Sequence, residues 1–208
     1  MSTTRAVTAQ RQPRRYTELV DTMLDVIAGD GLDRLSVREV ATRAGVSIGA
    51  VQYHFPSKDD MLSAAFEDVV ARIRARVQHL SFGPDLRANL RAVLEQLLPL
   101  DERRADEARI HLAFAARASV TPTLAAIQDR TLSQIHAELG AAIAQFRPDS
   151  PETPQRAADT ARALLALTDG LALHAASAPG LHDPDVLTRA LASAIDALLA
   201  EPTLGAQS

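Results

Sequence analysis

Residues 36–58, SVREVATRAGVSIGAVQYHFPSK, combine the start and stop signals of two short helices. Ser36, followed three residues later by Glu39, is the capping-box pattern of a helix N-terminus. Gly45 indicates the end of that helix, because glycine readily adopts the left-handed conformation found after many helices. A second helix follows and ends before Pro56, which cannot continue it. The order helix, glycine turn, helix predicts a helix-turn-helix, a unit whose second helix can enter the major groove of DNA.

The apolar residues of the second short helix predict which of its faces is buried. Val46, Val51 and Phe55 form an apolar set that would hold this helix, which begins at Ser47, against its neighbours. The outward or groove-facing positions are then Ile48, Gly49, Gln52 and Tyr53. Short helical hairpins with glycine turns also occur in all-helical proteins that bind no nucleic acid, so this spacing alone leaves both interpretations open.

The rest of the chain shows helical periodicity almost everywhere and strand alternation almost nowhere. The first helix carries apolar residues at three- and four-residue steps: Tyr16, Leu19, Val20, Met23, Leu24 and Ile27. Ser57 starts a long fourth helix. Three later helices begin with a proline after a small or polar cap, at Pro122, Pro154 and Pro184. The predicted helices beyond the fourth are 85–98, 102–119, 122–146, 154–177 and 184–200.

These patterns predict an all-α fold of nine helices in two domains. The N-terminal domain is a three-helix unit that contains the helix-turn-helix, and the C-terminal domain is a larger helical unit. The predicted boundaries are a flexible basic arm at 1–12, the helix-turn-helix domain at 13–58, the helical domain at 59–200 and a disordered tail at 201–208.

The composition excludes several classes of protein. The chain has 208 residues and no cysteine, which rules out disulfides, thiolate catalysis and cysteine-based metal sites. With 47% hydrophobic and 23% charged residues, it has the composition of a folded chain rather than a disordered one. No apolar run approaches the roughly 20 residues that span a bilayer, and the start of the chain lacks the apolar segment of a secretory signal. We expect a soluble, cytoplasmic protein with no membrane partner.

Charge is distributed unevenly along the chain. Residues 1–58 hold eight basic and six acidic side chains, whereas the other 150 residues hold 14 and 20. A basic N-terminal end on an acidic body indicates that this end meets a polyanion, although so small an excess is also typical of a solvated face. Arg11, Arg14 and Arg15 would follow a nucleic-acid backbone or enter the minor groove, or would serve only as a solvated tail.

Residues 34–62, RLSVREVATRAGVSIGAVQYHFPSKDDML, resemble the DNA-binding domain of the TetR/AcrR family of bacterial transcription regulators. The matching elements are the capping box, Ala41, residues 44–47, Gly49, His54, Phe55, Ser57, Lys58, Met61 and Leu62. One departure is that Gln52 follows the buried valine, where the family usually has tyrosine, and Tyr53 comes next. The segment at 111–114 and the helix after Pro122 faintly resemble the C-terminal domain of the BetI-like branch, which names no ligand for this chain.

The resemblance implies contacts between this segment and the DNA backbone. Lys58, the only lysine in the chain, would bind a phosphate from the start of the fourth helix. Tyr53 and His54 would touch the sugar-phosphate backbone, with a structural role as the alternative for His54. Ser47 would cap the recognition helix and contact phosphate as well.

Recognition of the DNA base sequence would depend on a different set of side chains. Gln52 can pair bidentately with adenine, and Arg38 can pair with guanine, with a solvated surface role as the alternative for Arg38. Ile48 and Ala50 offer methyl contacts, for example to thymine. Gly49 allows close approach of the backbone to DNA.

In the TetR/AcrR family the C-terminal half forms a homodimer and encloses an effector pocket. Residues 161–178 are apolar nearly all round, which predicts burial on more than one side. The last helix carries an apolar stripe suited to a dimer seam: Val186, Leu187, Ala190, Leu191, Ala194, Ile195, Leu198 and Leu199. The effector-pocket candidates, each also consistent with a structural or surface role, are His111, Phe114, Arg117, Gln128, His136, Asp169 and His174.

The residues and the resemblance favour a ligand-responsive, homodimeric repressor that binds a palindromic double-stranded DNA operator and is released by a small-molecule effector. An activator of the same architecture is the alternative, and the other classes are an all-helical enzyme and an interaction module with an inert helix-turn-helix. Because the chain has no His-Glu-x-x-His, Gly-x-Ser-x-Gly or phosphate-binding glycine loop, we expect no enzyme activity and no cofactor. No metal is expected either, since His111, His136 and His174 lack the i, i+4 ligand spacing.

Overall fold

The computed structural model describes residues 3–146 and 154–200, with side chains from residue 15 onward. Within these residues the chain forms nine α-helices and no strand, which confirms the predicted all-α fold. The helices are α1 (Thr3–Asp30), α2 (Val37–Arg43), α3 (Ile48–His54), α4 (Lys58–Gln78), α5 (Leu86–Leu94), α6 (Glu102–Ala118), α7 (Pro122–Gln145), α8 (Pro154–Ser177) and α9 (Pro184–Leu199). Single 3-10 turns, Leu32–Arg34 and Pro179–Leu181, precede α2 and α9. In this part of the chain, no helix has the length and apolar character needed to cross a membrane.

Local signals set the starts of the last three helices. α7, α8 and α9 begin at the predicted prolines, Pro122, Pro154 and Pro184. Proline suits the first helical position because the N–H it lacks would have no partner within the helix. The Asp183 carboxylate accepts the Val186 N–H at 2.8 Å and thereby caps α9.

Two helix boundaries differ from those predicted. α1 begins at Thr3, so residues 3–12, predicted as a flexible arm, have a helical backbone. Six of those ten residues are Ala, Arg or Gln, which favour the helix. α5 ends at Leu94 instead of near residue 98, because the following residues tighten into i→i+3 turns and the position before Pro99 disfavours helical angles. The predicted tail at 201–208 lies outside the described residues.

The chain divides into two compact units. The first comprises the residues up to Ala75 together with Asp106–Gln128. Its core takes large side chains from α1, α2, α3, α4, α6 and α7: Leu19, Met23, Ile27, Val40, Val51, Phe55, Met61, Leu62, Phe66, Ile110, Phe114 and Leu124. The α1 stripe is buried as predicted except for Tyr16, which is half-exposed. Each large apolar side chain buried in this way contributes about 1.5–3 kcal/mol.

The second unit comprises Arg76–Ala105 and the residues from Asp129 onward. Its core includes Leu90, Leu94, Leu98, Leu139, Ile143, Ala161, Leu164, Leu187, Leu191, Ile195 and Leu199. Four members of the α9 stripe therefore face the core of their own chain, which leaves less of that stripe for a dimer seam than predicted. The buried Asn89 accepts the Gly83 N–H at 3.0 Å and donates to the Gly83 carbonyl at 2.8 Å, fixing the loop before α5.

The division between the units falls within α4 instead of at its start, where the sequence placed it. Met61, Leu62 and Phe66 of α4 belong to the same core as α1. Phe114 of α6 belongs to that core as well, and its ring stacks on that of Phe66 with the centroids 3.9 Å apart. The first turns of α4 are thereby part of the unit that holds the helix-turn-helix.

Candidate nucleic-acid interface

The start of α2 is fixed by Ser36. The Glu39 N–H donates to Ser36 Oγ at 3.2 Å, which is the first half of the predicted capping box. The Glu39 carboxylate accepts a bond from Arg43 Nε at 2.7 Å along the same helix. Arg43 also pairs with Asp30 at the end of α1, and its hydrogen bonds to Glu39 and then Asp30 raise its pKa. An ion-pair cluster thus joins α2 to α1.

The turn between α2 and α3 has the hydrogen bonds of a Schellman motif. The Val46 N–H donates to the Ala41 carbonyl at 3.0 Å, and the Gly45 N–H donates to the Thr42 carbonyl at 3.3 Å. Gly45 has a φ of +63°, the left-handed conformation predicted for it. Apart from its chain neighbours, no described atom lies within 4 Å of the place where its Cβ would be. Backbone conformation, and not lack of space, therefore requires glycine here.

Gly45→Ala is expected to lower the free energy of unfolding by about 1–2 kcal/mol, because an L side chain resists a positive φ. Gly49→Ala is the matched control, since Gly49 lies in α3 with open space around it. That change should leave stability unchanged or raise it by about 0.5–1 kcal/mol. Urea denaturation of both variants measures the difference. A Gly45 variant as stable as the Gly49 variant would show that the turn does not depend on this φ.

One face of α3 anchors the helix to the first unit. Val51 and Phe55 are 0% and 2% exposed within the core, and Val46 packs against that core half-buried. Ser47 caps the helix by accepting the Ala50 N–H at 3.2 Å on its hydroxyl. The apolar set predicted from the sequence is confirmed.

The opposite face of α3 is open to solvent. Ile48 is 48% exposed and Tyr53 is 73% exposed, although large apolar and aromatic side chains are usually buried. The other predicted contacts on this helix are exposed or half-buried: Ser47, Gly49, Ala50 and Gln52. The structure thus brings these groove-facing candidates together on one short, accessible helix.

His54 lies between two tyrosines at the end of α3. Its ring centroid is 6.0 Å from that of Tyr16 and 5.0 Å from that of Tyr53, both edge-to-face. Burial, followed by the negative charges of Glu67 and Asp68, raises the pKa of the Tyr16 phenol, which therefore stays neutral. These contacts favour the structural alternative for His54, which would position Tyr53.

α4 begins with a reciprocal cap. The Ser57 N–H donates to Asp60 Oδ2 at 2.9 Å, and the Asp60 N–H donates to Ser57 Oγ at 3.1 Å. Lys58, the first residue of the helix, is exposed. Its ammonium makes one long contact of 3.5 Å with the Asp33 carbonyl. Because an ammonium has three donors, Lys58 retains donor capacity for a phosphate oxygen.

The remaining DNA candidates are arginines. Arg38 is exposed in the first turn of α2. The backbone of the predicted arm forms part of α1, with Arg15 exposed. The side chains of Arg11 and Arg14 lie outside those that the structure describes.

One ion pair near this surface was missed by sequence analysis. Arg117 of α6 donates from Nε and Nη2 to the two carboxylate oxygens of Asp59, at 3.0 and 3.3 Å. The hydrogen bond and charge of Asp59 raise the pKa of Arg117. Arg117 was predicted as an effector contact, but it pairs with the first turn of α4 because that carboxylate lies within reach. The two residues are too far apart in the sequence for any local pattern to indicate the pair.

Three other effector candidates lie in the first unit. Phe114 is fully buried against Phe66, which makes it a core side chain in this structure. His111 is half-buried, with its ring 5.8 Å from that of Phe66. Gln128 has a buried Oε1 to which no described group donates a hydrogen bond. The unsatisfied oxygen is the feature here that most resembles a ligand contact, since a buried unpaired acceptor is costly.

The candidates in the second unit are less enclosed. His136 and Asp169 are half-buried, and His174 is exposed with its ring 5.5 Å from that of His182. Over residues 3–146 and 154–200, no three His, Asp or Glu side chains gather as a metal site would require.

Two sequence profiles match this chain. Residues 19–65 match bacterial regulatory proteins of the tetR family, a span that includes the helix-turn-helix. Residues 86–200 match the C-terminal domain of BetI-type transcriptional repressors.

Comparisons over most of the chain agree with these profiles. The HTH-type transcriptional regulator BetI of Burkholderia thailandensis is 32% identical over 188 residues, 89% of this chain and 94% of that protein. The crystal structure of a transcriptional regulator from Rhodococcus sp. Rha1 is 43% identical, with a TM-score of 0.81 over 88% of this chain and 95% of that one. The multidrug binding protein EbrR complexed with ethidium is 26% identical, with a TM-score of 0.65 over 86% of this chain and 98% of that one. With its accessible recognition helix and matches along both halves, the chain belongs to the TetR family of bacterial regulatory proteins and is a DNA-binding transcriptional regulator.

Proposed function

We propose that this regulator is a homodimeric repressor that binds a palindromic operator through α3 and releases it when a small-molecule effector binds. In dimers of this kind the two recognition helices lie about 34–36 Å apart, one turn of DNA. A transcription regulator acts on the bacterial chromosome, so we place the protein in the cytoplasm. We assign it no catalysed reaction.

The exposure of α3 is the observation that carries the DNA-binding proposal. Val51 and Phe55 hold the helix on the core, while Tyr53 on the other side is 73% exposed. A helix that is firmly anchored yet leaves an aromatic ring in solvent has a surface available for a partner. Its N-terminal position, in the basic part of the chain, favours a polyanion as that partner.

Recognition of the DNA base sequence is assigned to two polar side chains. Gln52 is exposed on α3 and has the amide geometry that pairs with adenine, and Arg38 on α2 has the guanidinium that pairs with guanine. Ile48 and Ala50 supply methyl contacts. At Gly49 the space that a Cβ would occupy is open, so DNA can approach the backbone there.

Phosphate contacts are assigned to Lys58, Ser47 and Tyr53, which are all exposed. These contacts fix the orientation of the protein on DNA and carry no sequence information. Lys58 is the strongest of them, because its charge lies at the start of the 21-residue α4.

Dimerisation is assigned mainly to α8. This helix buries Leu164 and Leu165 on one side but leaves Ala166 and Leu173 exposed on another. An apolar side chain as large as Leu173 gains free energy when a second subunit covers it. The exposed small residue Ala166 would let that subunit approach closely.

The effector is proposed to be a small molecule held by residues of the first unit. EbrR, a relative in structure, is described as a multidrug binding protein and was solved with ethidium. In this chain the buried Oε1 of Gln128 can accept a hydrogen bond from such a ligand, and the half-buried His111 lies against an aromatic ring. Asp169 and His174 remain candidates in the second unit.

Lys58→Ala tests the DNA-binding proposal. An operator is first selected with the wild-type protein from random duplex DNA, and affinities are then measured by fluorescence anisotropy at several salt concentrations. The variant should bind every sequence more weakly, by about tenfold for each lysine removed, since each subunit loses a charge-assisted hydrogen bond. The slope of log affinity against log salt should fall by about 1 for each lysine removed, or about 2 per dimer.

Arg91→Ala is the matched control, because it removes one exposed positive charge from α5 in the second unit. It should leave both affinity and salt slope unchanged. If wild-type protein enriches no DNA sequence, the interaction-module alternative becomes the better account of the chain. If Lys58→Ala binds as the wild type does, the phosphate contact is assigned to the wrong residue.

A further inference from the structure

Arg117 and Asp59 form a two-bond ion pair between α6 and α4 within the first unit. Nε lies 3.0 Å from one carboxylate oxygen and Nη2 lies 3.3 Å from the other. The side chains are 47% and 30% exposed. Exposed ion pairs contribute little to stability, whereas two parallel bonds fix the relative orientation of their partners. The pair is therefore better suited to positioning α4 than to stabilising the fold.

The part of α4 that the pair holds is its first turn, residues 58–61. Three residues separate this turn from the end of α3 at His54. It contains Lys58, to which the proposed function assigns a phosphate contact. Its cap is the reciprocal bonding of Ser57 and Asp60, which leaves Asp59 as the carboxylate that reaches another helix.

Charge alone would make Asp59 unfavourable for DNA binding. Its carboxylate lies one residue from Lys58 in the sequence, and a negative charge near a phosphate contact opposes the approach of DNA. Pairing with Arg117 offsets that charge and holds the carboxylate on α6. If the pair has a structural role in DNA binding, removal of the Asp59 carboxylate should weaken binding, even though its repulsion of DNA is lost. If only the charge of Asp59 matters, the same removal should strengthen binding.

We propose that the Arg117–Asp59 pair positions Lys58 for its operator phosphate, so that α6 holds the first turn of α4 in the orientation that binds DNA. The inference rests on the proposed function and adds two positioning residues to it. Both act through Lys58 without touching DNA themselves.

Asp59→Asn in the full-length protein is the test, with affinity for the selected operator measured by anisotropy. Loss of positioning should weaken binding about fivefold, the lower end of coupling between sites. Arg117→Gln should weaken binding to a similar degree, and the double variant should be no weaker than either single one, because both remove the same interaction. Asp59→Glu, which keeps the carboxylate, should bind within about twofold of wild type.

Asp21→Asn is the matched control. Asp21 of α1 also pairs with α4, at Arg72, in the same unit. Arg72 lies 14 residues beyond Lys58, about 21 Å along the helix axis. This variant should bind the operator as the wild type does, and thermal denaturation should place both asparagine variants within about 2 °C of wild type.

The outcomes separate this inference from the proposed function. If wild-type protein binds no DNA, both fall together. If Lys58→Ala weakens binding while Asp59→Asn binds as tightly as wild type or more tightly, the proposed function stands and the positioning role is overturned. Tighter binding is what removal of a surface carboxylate near DNA produces by charge alone.

Discussion

Replacing Leu173 with glutamate is expected to convert the proposed dimer to a monomer and to weaken operator binding by about 100-fold. Leu173 is 47% exposed on α8, and Ala166 and Gly170 precede it on the same face at steps of four and three residues. A glutamate at this position would carry an unpaired charge into the dimer seam. The loss in affinity follows because a linked pair of DNA-binding units gains about 10²–10⁴ over a single one.

Light scattering and operator binding at one protomer concentration measure this effect. Val120→Glu is the matched control, because it adds the same charge at an exposed apolar residue of the first unit. That variant should remain dimeric. A Leu173 variant that stays dimeric and binds the operator with wild-type affinity would place the seam elsewhere, for example on the part of α9 that its own core leaves exposed.

Sequence alone predicted the helix-turn-helix because its signals are local. The Ser36 cap and the turn at Gly45 are made of hydrogen bonds between residues three to five positions apart, so their spacing encodes the helix start and the turn. The same holds for Pro122 and Pro184, which begin their helices where predicted. Buried Val51 and exposed Tyr53 followed from helical periodicity within one short segment.

Contacts between distant segments could not be predicted in this way. Arg117 was taken for an effector contact because a polar residue on a helix has the same appearance in sequence whether it faces a ligand or a carboxylate. Asp59 lies in the first turn of α4, and no local pattern indicates that it also binds α6. The boundary between units was misplaced for the same reason: nothing near Phe66 indicates that Phe114 will stack on it.

Phe114→Ala is expected to reduce the free energy of unfolding by about 3–5 kcal/mol, a large share of the roughly 5–15 kcal/mol typical of folded proteins. The sequence offered Phe114 as an effector contact, whereas the structure has its ring fully buried against Phe66 with an interplanar angle of 8°. Truncation of a core ring forfeits its apolar burial and leaves a cavity. Truncation of a ring that lines an open ligand site forfeits much less.

Urea denaturation of Phe114→Ala, Phe114→Leu and His111→Ala separates these two roles. The leucine variant keeps most of the apolar volume and should cost less than about 1.5 kcal/mol. His111 is half-buried on the same helix and contacts the same Phe66, so its truncation should cost only about 1 kcal/mol, near the average for single substitutions. If Phe114→Ala proves as mild as His111→Ala, the ring does not hold the core together. Phe114 would then again be a candidate for the effector site, because a side chain that the fold does not need is available to contact a ligand.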